Sequence, residues 1–173
     1  MLRLEHLLPA LGHPRPAAAT LTLPFELRRR SRLLVRLDDG EEAGLFLERG
    51  TVLHDGDELG ASDGRTVRVI AKPEAVYVVR PTPACSLARA AYHLGNRHVP
   101  VEIGVASLKL ERDPVLRDML EQAGALVAEE EAGFQPEPGA YGGGHRRGHD
   151  AGQQEEHALA QAVFKLRHGM RPA

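Results

Sequence analysis

Two stretches of this chain each spell out a helix, a stop and a strand, and together they leave few architectures open. In the first, Leu87, Ala90, Ala91 and Leu94 share one stripe at helical spacing, and Gly95-Asn96 supplies the stop. Over residues 97–103, Val99, Val101 and Ile103 alternate with His98, Pro100 and Glu102, which predicts a strand with the apolar set turned inward and His98 facing out. In the second, Asp113 caps a helix with Pro114 at its first position. Val115, Leu116, Met119, Leu120 and Ala123 form its buried stripe, Gly124 ends it, and Ala125-Leu126-Val127-Ala128 makes a strand. The β-rich run Ala75-Val76-Tyr77-Val78-Val79 precedes both, and the short alternating Ser107-Leu108-Lys109-Leu110 lies between them. The order over residues 74–134 is therefore βαββαβ, the ferredoxin-like split unit. Both helices of that unit cover one face of its sheet and leave the other open. A second copy packed there by two-fold symmetry would bring His98 of both chains together.

Residues 20–73 read differently, as a small all-β domain suited to binding a partner or peptide. Short apolar runs are divided by turn dipeptides: Arg32-Leu33-Leu34-Val35-Arg36-Leu37 enters Asp38-Asp39-Gly40 and leaves through Ala43-Gly44-Leu45-Phe46-Leu47, a hairpin signal. Asp55-Gly56 and Asp63-Gly64 mark later turns, and Arg65-Thr66-Val67-Arg68-Val69-Ile70 alternates as a half-buried strand before Lys72-Pro73 interrupts it. Residues 1–19, chopped by Pro9, Pro14 and Pro16, are expected to be a mobile leader; Glu5, His6, His13 and Arg15 break up any signal-peptide core. Residues 135–173 form a flexible tail in which Gly142-Gly143-Gly144 leads to His145 and His149. A short helix is expected over 155–167, flanked by His157 and His168. The fold class is thus α+β, with an N-terminal β domain, a ferredoxin-like domain and a histidine-containing tail.

Charge and sulfur narrow the functions open to such a chain. With 22 basic residues against 24 acidic ones and no Trp, no basic stripe with interleaved aromatics exists for nucleic acid. No apolar run is long enough to span a membrane. The single cysteine, Cys85, makes no internal disulfide, which fits a reducing compartment, with cytoplasm the default. It also lacks a neighbouring histidine and reads as a small packed residue, not a nucleophile. Gly142-Gly143-Gly144 lacks the lysine and hydroxyl of a nucleotide loop. No enzyme is expected, since a metal-dependent hydrolase, the least favoured reading, would need a clustered ligand triad with an open position.

Nine histidines are the residual chemical signal, because imidazole is the commonest ligand of borderline divalent ions. His6, His13 and His54 read as solvated surface, and His93 as a partly buried packing residue beside Tyr92. Patterning alone leaves His98 either a ligand or a plain surface histidine.

Particular strings go further. Leu87-Ala88-Arg89-Ala90-Ala91-Tyr92-His93-Leu94-Gly95-Asn96-Arg97-His98-Val99-Pro100-Val101, with Asp113-Pro114-Val115-Leu116 and Gly139-Ala140-Tyr141-Gly142-Gly143-Gly144-His145, resembles the UreE family of urease accessory proteins, which deliver nickel. Thr20-Leu21-Thr22-Leu23-Pro24-Phe25-Glu26-Leu27-Arg28 and Leu45-Phe46-Leu47-Glu48-Arg49-Gly50-Thr51-Val52-Leu53 resemble that family's amino-terminal domain. Only the leader and the final helix lie outside the likeness. The resemblance implies a homodimeric cytoplasmic Ni(II) chaperone that donates its ion during assembly of the urease metallocentre, with the urease accessory GTPase UreG, and through it the urease apoprotein, as partners. It places the interfacial metal ligand on His98 and further ligands on His145 and His149. Arg146 and Arg147 stand where many relatives carry histidine runs, so bulk storage by the tail is not implied; Arg112 and Pro114 replace the histidines of an accessory site. Residue types do not separate Ni(II) from Zn(II) or Cu(II), which would also bind in vitro. The rival reading is a protein-interaction module whose histidines are incidental.

Overall fold

A computed structural model describes residues 1–138 of the chain. The expected tail helix and His145, His149, His157 and His168 lie outside the described residues. Two sheets share one compact unit, Met1–Glu137. The first has six strands: β1 (Leu2–Leu7), β2 (Ala19–Leu23), β3 (Arg32–Arg36), β4 (Glu42–Phe46), β5 (Glu58–Ala61) and β6 (Thr66–Ala71), in the order β2-β6-β5-β1-β4-β3. The second has four antiparallel strands: β7 (Glu74–Arg80), β8 (Glu102–Ile103), β9 (Leu108–Glu111) and β10 (Leu126–Ala132), in the order β10-β7-β9-β8. Helices α2 (Leu87–Gly95) and α3 (Pro114–Gln122) complete the βαββαβ order, and a one-turn helix α1 (Phe25–Arg28) follows β2. No helix among the described residues is long and apolar enough to cross a membrane.

The turn dipeptides act where the sequence places them. Gly40, at φ 95°, lets β3 fold back on β4, and its N–H donates to Leu37 O at 2.9 Å. Asp38 does more than turn the chain. Its N–H donates to Thr20 O at 3.0 Å, and its carboxylate accepts from Thr20 Oγ1 at 2.5 Å, Thr22 Oγ1 at 2.8 Å and Thr22 N at 3.2 Å. One end of the terminal strand β3 is thereby tied to β2, the terminal strand at the far side of the sheet, which curls the sheet around Leu4, Leu21, Leu45, Leu59, Val67 and Val69.

The expected mobile leader at 1–19 is overturned. β1 lies inside the sheet, parallel to β4 and antiparallel to β5, with Leu2 and Leu4 buried. The physical signal was period-two alternation, apolar Leu2 and Leu4 against Arg3 and Glu5, in a run shortened by the prolines behind it. The connection to β2 is also held. Glu58 is buried and accepts from Arg15 N at 2.8 Å, Arg15 Nη1 at 2.7 Å and Arg68 Nη2 at 3.3 Å, and the Arg15 hydrogen bond above all depresses its pKa.

The ferredoxin-like domain differs from expectation on its second face. Tyr77 and Val79 of β7 pack with Ala90, Leu94, Leu110 and Leu120 under the helices. Val76 and Val78 point the other way, and that face is not open: Phe25 of α1 and Phe134, just past β10, close over it in an edge-to-face pair at 5.4 Å. Burial on both faces explains why β7 reads as a nearly unbroken apolar run. Beside this contact lies Arg28, fully buried, its guanidinium donating to Leu23 O at 3.2 Å, Leu53 O at 3.0 Å and Phe134 O. Burial lowers its pKa, against the attraction of Glu74, Asp55, Asp57 and Glu102. Phe25 N also donates to Glu74 Oε2 at 2.7 Å, and Asp55 N to Gln135 Oε1.

Two outcomes follow from these contacts. Arg28→Met keeps an apolar stem but withdraws every donor from the three carbonyls, and should cost about 3 kcal/mol in denaturant unfolding; equal stability would show that the pairing contributes nothing. Asp38 is pushed up by burial, but the hydrogen bonds from Thr20 and Thr22 outweigh that and leave its folded pKa below the ordinary 3.8. Its contribution is therefore present above the unfolded pKa and lost as pH falls through the folded one. Asp38→Asn should lower the melting temperature at neutral pH and flatten its fall on acidification below about pH 4.

Candidate metal centre

The candidate site grows out of the end of α2. Ser86 caps the helix by accepting from Arg89 N at 3.3 Å, and Ala90 and Leu94 seat it in the core. The chain then keeps turning past Gly95-Asn96. His98 N donates to Gly95 O at 2.9 Å and Val99 N to Leu94 O at 3.2 Å, and His98 takes φ 54°. This is a Schellman ending with His98 at the left-handed position, closed by Val99 packing into the cluster that contains Leu94. The expected strand over 97–103 is thus corrected: residues 96–98 are a turn, and only Glu102–Ile103 pair as β8. The inward–outward alternation survives as far as Val101, since Val99 and Val101 pack inward while His98 and Pro100 are exposed. It fails at Ile103, which is exposed at the sheet edge.

His98 is the one non-glycine residue with positive φ among the described residues. The contrast with α3 is direct. There the same pair of bonds, Gly124 N to Glu121 O at 2.9 Å and Ala125 N to Leu120 O at 2.9 Å, is closed by Gly124 at φ 88°. A side chain in that backbone well costs roughly 1–2 kcal/mol, so α2 carries an imidazole where glycine would be cheaper.

Glu102, half-buried, braces the segment after His98. Its Oε1 accepts from Lys109 Nζ at 2.6 Å and its Oε2 from Gln135 N at 2.7 Å. Lys109 Nζ reaches Gly133 O at 3.2 Å, and Glu137 N donates to Val101 O at 2.9 Å. The chain past β10 therefore crosses the sheet and reaches Val101, three residues from His98. Sequence reasoning missed this return; the signal was the pair Phe134 and Pro136, both buried, directly after an acidic strand.

The other candidates are dispersed. His93, half-buried, stacks edge-on with Tyr92 at 5.6 Å, and Arg97 Nη1 donates to its carbonyl at 3.2 Å. His6 and His13 are exposed, and His54 N donates to Asp57 Oδ2 at 2.7 Å. Cys85 is buried, its thiol facing Ser86 O at 3.7 Å. Arg112 is engaged by Glu129 at 3.0 Å. Among the described residues no three His, Cys, Asp or Glu side chains gather as a metal cage.

Known proteins resemble this chain along nearly all of the described residues. Residues 4–72 match the family model of the UreE urease accessory protein, N-terminal domain, and residues 74–162 that of its C-terminal domain. The urease accessory protein UreE of Paraburkholderia xenovorans is 62% identical over 152 residues, covering 88% of this chain and 68% of the relative. Those of Burkholderia thailandensis and Burkholderia vietnamiensis are 60% and 59% identical over 152 residues, covering 88% of this chain and 71% and 76% of the relatives. The chain belongs to the UreE family of urease accessory proteins, with that family's two-domain architecture.

The left-handed backbone at residue 98 has a measurable signature. In metal-free protein His98→Gly should raise the melting temperature, by the equivalent of about 1 kcal/mol, whereas His98→Ala should not. A glycine variant no more stable than the alanine one would remove the left-handed assignment.

Proposed function

We propose that this member of the family is a Ni(II) metallochaperone, cytoplasmic and homodimeric, in which His98 from each of two subunits holds one ion on the two-fold axis. The observation that carries the reading is the imidazole kept, exposed, at a position where the backbone favours glycine; strain of that kind is retained where the side chain is used. A lone imidazole holds a divalent ion weakly, so the proposal needs a second copy and further donors. Tyr92, Ile103 and Val105, all exposed and all within seven residues of His98 in sequence, offer apolar surface for that copy. His145 and His149 are the proposed further ligands, on the strength of the family likeness alone.

Nickel is cargo in this scheme. Release proceeds by exchange: neutral imidazoles and water leave one at a time as ligands of an acceptor replace them, and acid favours release because protons compete for the same nitrogens. The proposed acceptor is the urease accessory GTPase UreG, and through it the urease apoprotein. The protein itself performs no chemistry on a substrate.

Calorimetric titration with nickel tests the site. The parent should show a tightest class of one ion per dimer, lost in both His98→Ala and His98→Gly. Because the glycine variant is expected to be the more stable fold, its loss of binding could not be assigned to unfolding. An unchanged first class in either variant would return the histidine to plain surface.

A further inference from the structure

Past His98 the chain has little of its own to hold it. Over residues 95–107 no side chain is fully buried, and the one strand there, β8, pairs through two residues only, Glu102 with Lys109 and Ile103 with Leu108. The helix-end bonds and Val99 decide where residue 98 sits. They do not decide how often residues 99–103 lift away from the body. A two-residue edge strand that runs on into exposed Gly104, Val105 and Ala106 opens readily unless something else restrains it.

The restraint comes from the return of the chain over residues 133–137. This strap belongs to no strand, and its bonds go alternately to the two domains. Gly133 O accepts from Lys109 Nζ at 3.2 Å, and Phe134 O accepts from Arg28 Nη2. Gln135 N donates to Glu102 Oε2 at 2.7 Å, while its side-chain Oε1 accepts from Asp55 N; Glu137 N then donates to Val101 O at 2.9 Å. Phe134 and Pro136 are buried, and Gly133 lies so close to the end of β6 that a Cβ would meet Ala71 Cβ at 3.3 Å. Glu102 is the joint of this arrangement. One of its oxygens takes Lys109 Nζ at 2.6 Å across the β8–β9 pair and the other takes the strap. A carboxylate accepts on both sides, whereas a carboxamide would turn its own N–H groups against one of the two donors.

We propose that Glu102 is a positioning residue of the metal centre: through the strap it holds the segment that leaves His98 against the junction of the two domains, so that nickel affinity at His98 depends on contacts made at Arg28 and Asp55. The inference rests on the nickel reading above and adds no ligand to it. A site shared by two imidazoles binds tightly only when both stand in place before the ion arrives, and each opening of residues 99–103 takes one of them out of place. Coupling of this kind is reciprocal. An ion held by His98 restrains the segment, and the strap amides bonded to that segment then open less often.

Calorimetric titration of the full chain with nickel, paired with hydrogen exchange read by mass spectrometry on peptides spanning residues 133–137, tests the joint. Glu102→Gln should keep one ion per dimer in the tightest class but weaken it about tenfold. Gln135→Ala removes the acceptor of Asp55 N, keeps the strap's own N–H and should weaken the class by less; the double variant should lose less than the product of the two, since both act through one strap. Asp38→Asn, which loosens the β domain away from the strap, should lower the melting temperature with the nickel class unmoved. Nickel should slow exchange over 133–137 in the parent, less so in Glu102→Gln and not at all in His98→Ala. Parent affinity in Glu102→Gln, an equal loss in Asp38→Asn, multiplicative losses in the double variant, or exchange indifferent to nickel while His98 still carries the first class overturns the positioning role and leaves the nickel reading standing. A first class that survives His98→Ala removes both.

Discussion

The buried guanidinium of Arg28 is the constraint around which the two sheets are arranged. An arginine keeps its charge when taken out of water, so it must find acceptors, and here they come from three separate pieces of chain: Leu23 at the end of β2, Leu53 before β5, and Phe134 after β10. Meeting that demand draws the start of the molecule and the end of its second domain to one point. The aromatic pair Phe25–Phe134 and the burial of Val76 and Val78 then follow, because the face of β7 turned from the helices has been brought against the β domain. A hydrophobic contact alone would tolerate sliding; a forked donor set on three carbonyls does not.

That constraint changes what surface remains for partners. With one face of the four-stranded sheet covered and the chain after β10 bonded across it to Glu102 and Val101, the apolar groups left exposed near His98 sit at the end of α2 and along the β8 edge. The left-handed turn then sets the imidazole at the tip of that region. The turn that carries it is held by backbone hydrogen bonds on the helix side and by Val99 in the core, so the position of residue 98 is set without a loop closing around it.

Much of the fold was legible wherever local chemistry and burial agree. Asp113-Pro114 at one end of α3 and Gly124 at the other mark a helix without tertiary help, and the Asp-Gly turns mark their hairpins. Legibility failed where a local signal was outvoted. Gly95-Asn96 looks like a helix stop, yet the turn runs three residues further because Val99 gains burial by closing it. β1 was hidden because four alternating residues before a proline-rich stretch carry little pattern, and its partners lie about forty to sixty residues away. That His98 is exposed was readable; its backbone state was not, since nothing in the flanking residues distinguishes a strand from a left-handed turn. The open face was misjudged for a related reason: the βαββαβ pattern describes one domain and says nothing of what a neighbouring domain lays on it.

The placement of β1 also sets an order of events during synthesis. Leu2 and Leu4 leave the ribosome well before the strands that flank them, β4 and β5, at Glu42–Phe46 and Glu58–Ala61, so they wait unpaired until some sixty residues have followed. β2 waits for β6 in the same way, through parallel pairing of Ala19 with Val67. Non-local strands of this sort are slow to close and expose apolar groups meanwhile. The interval is guarded by composition: Arg3 and Glu5 interrupt the leucines of β1, and the prolines at 9, 14 and 16 keep the nascent segment from extending into a longer sticky strand.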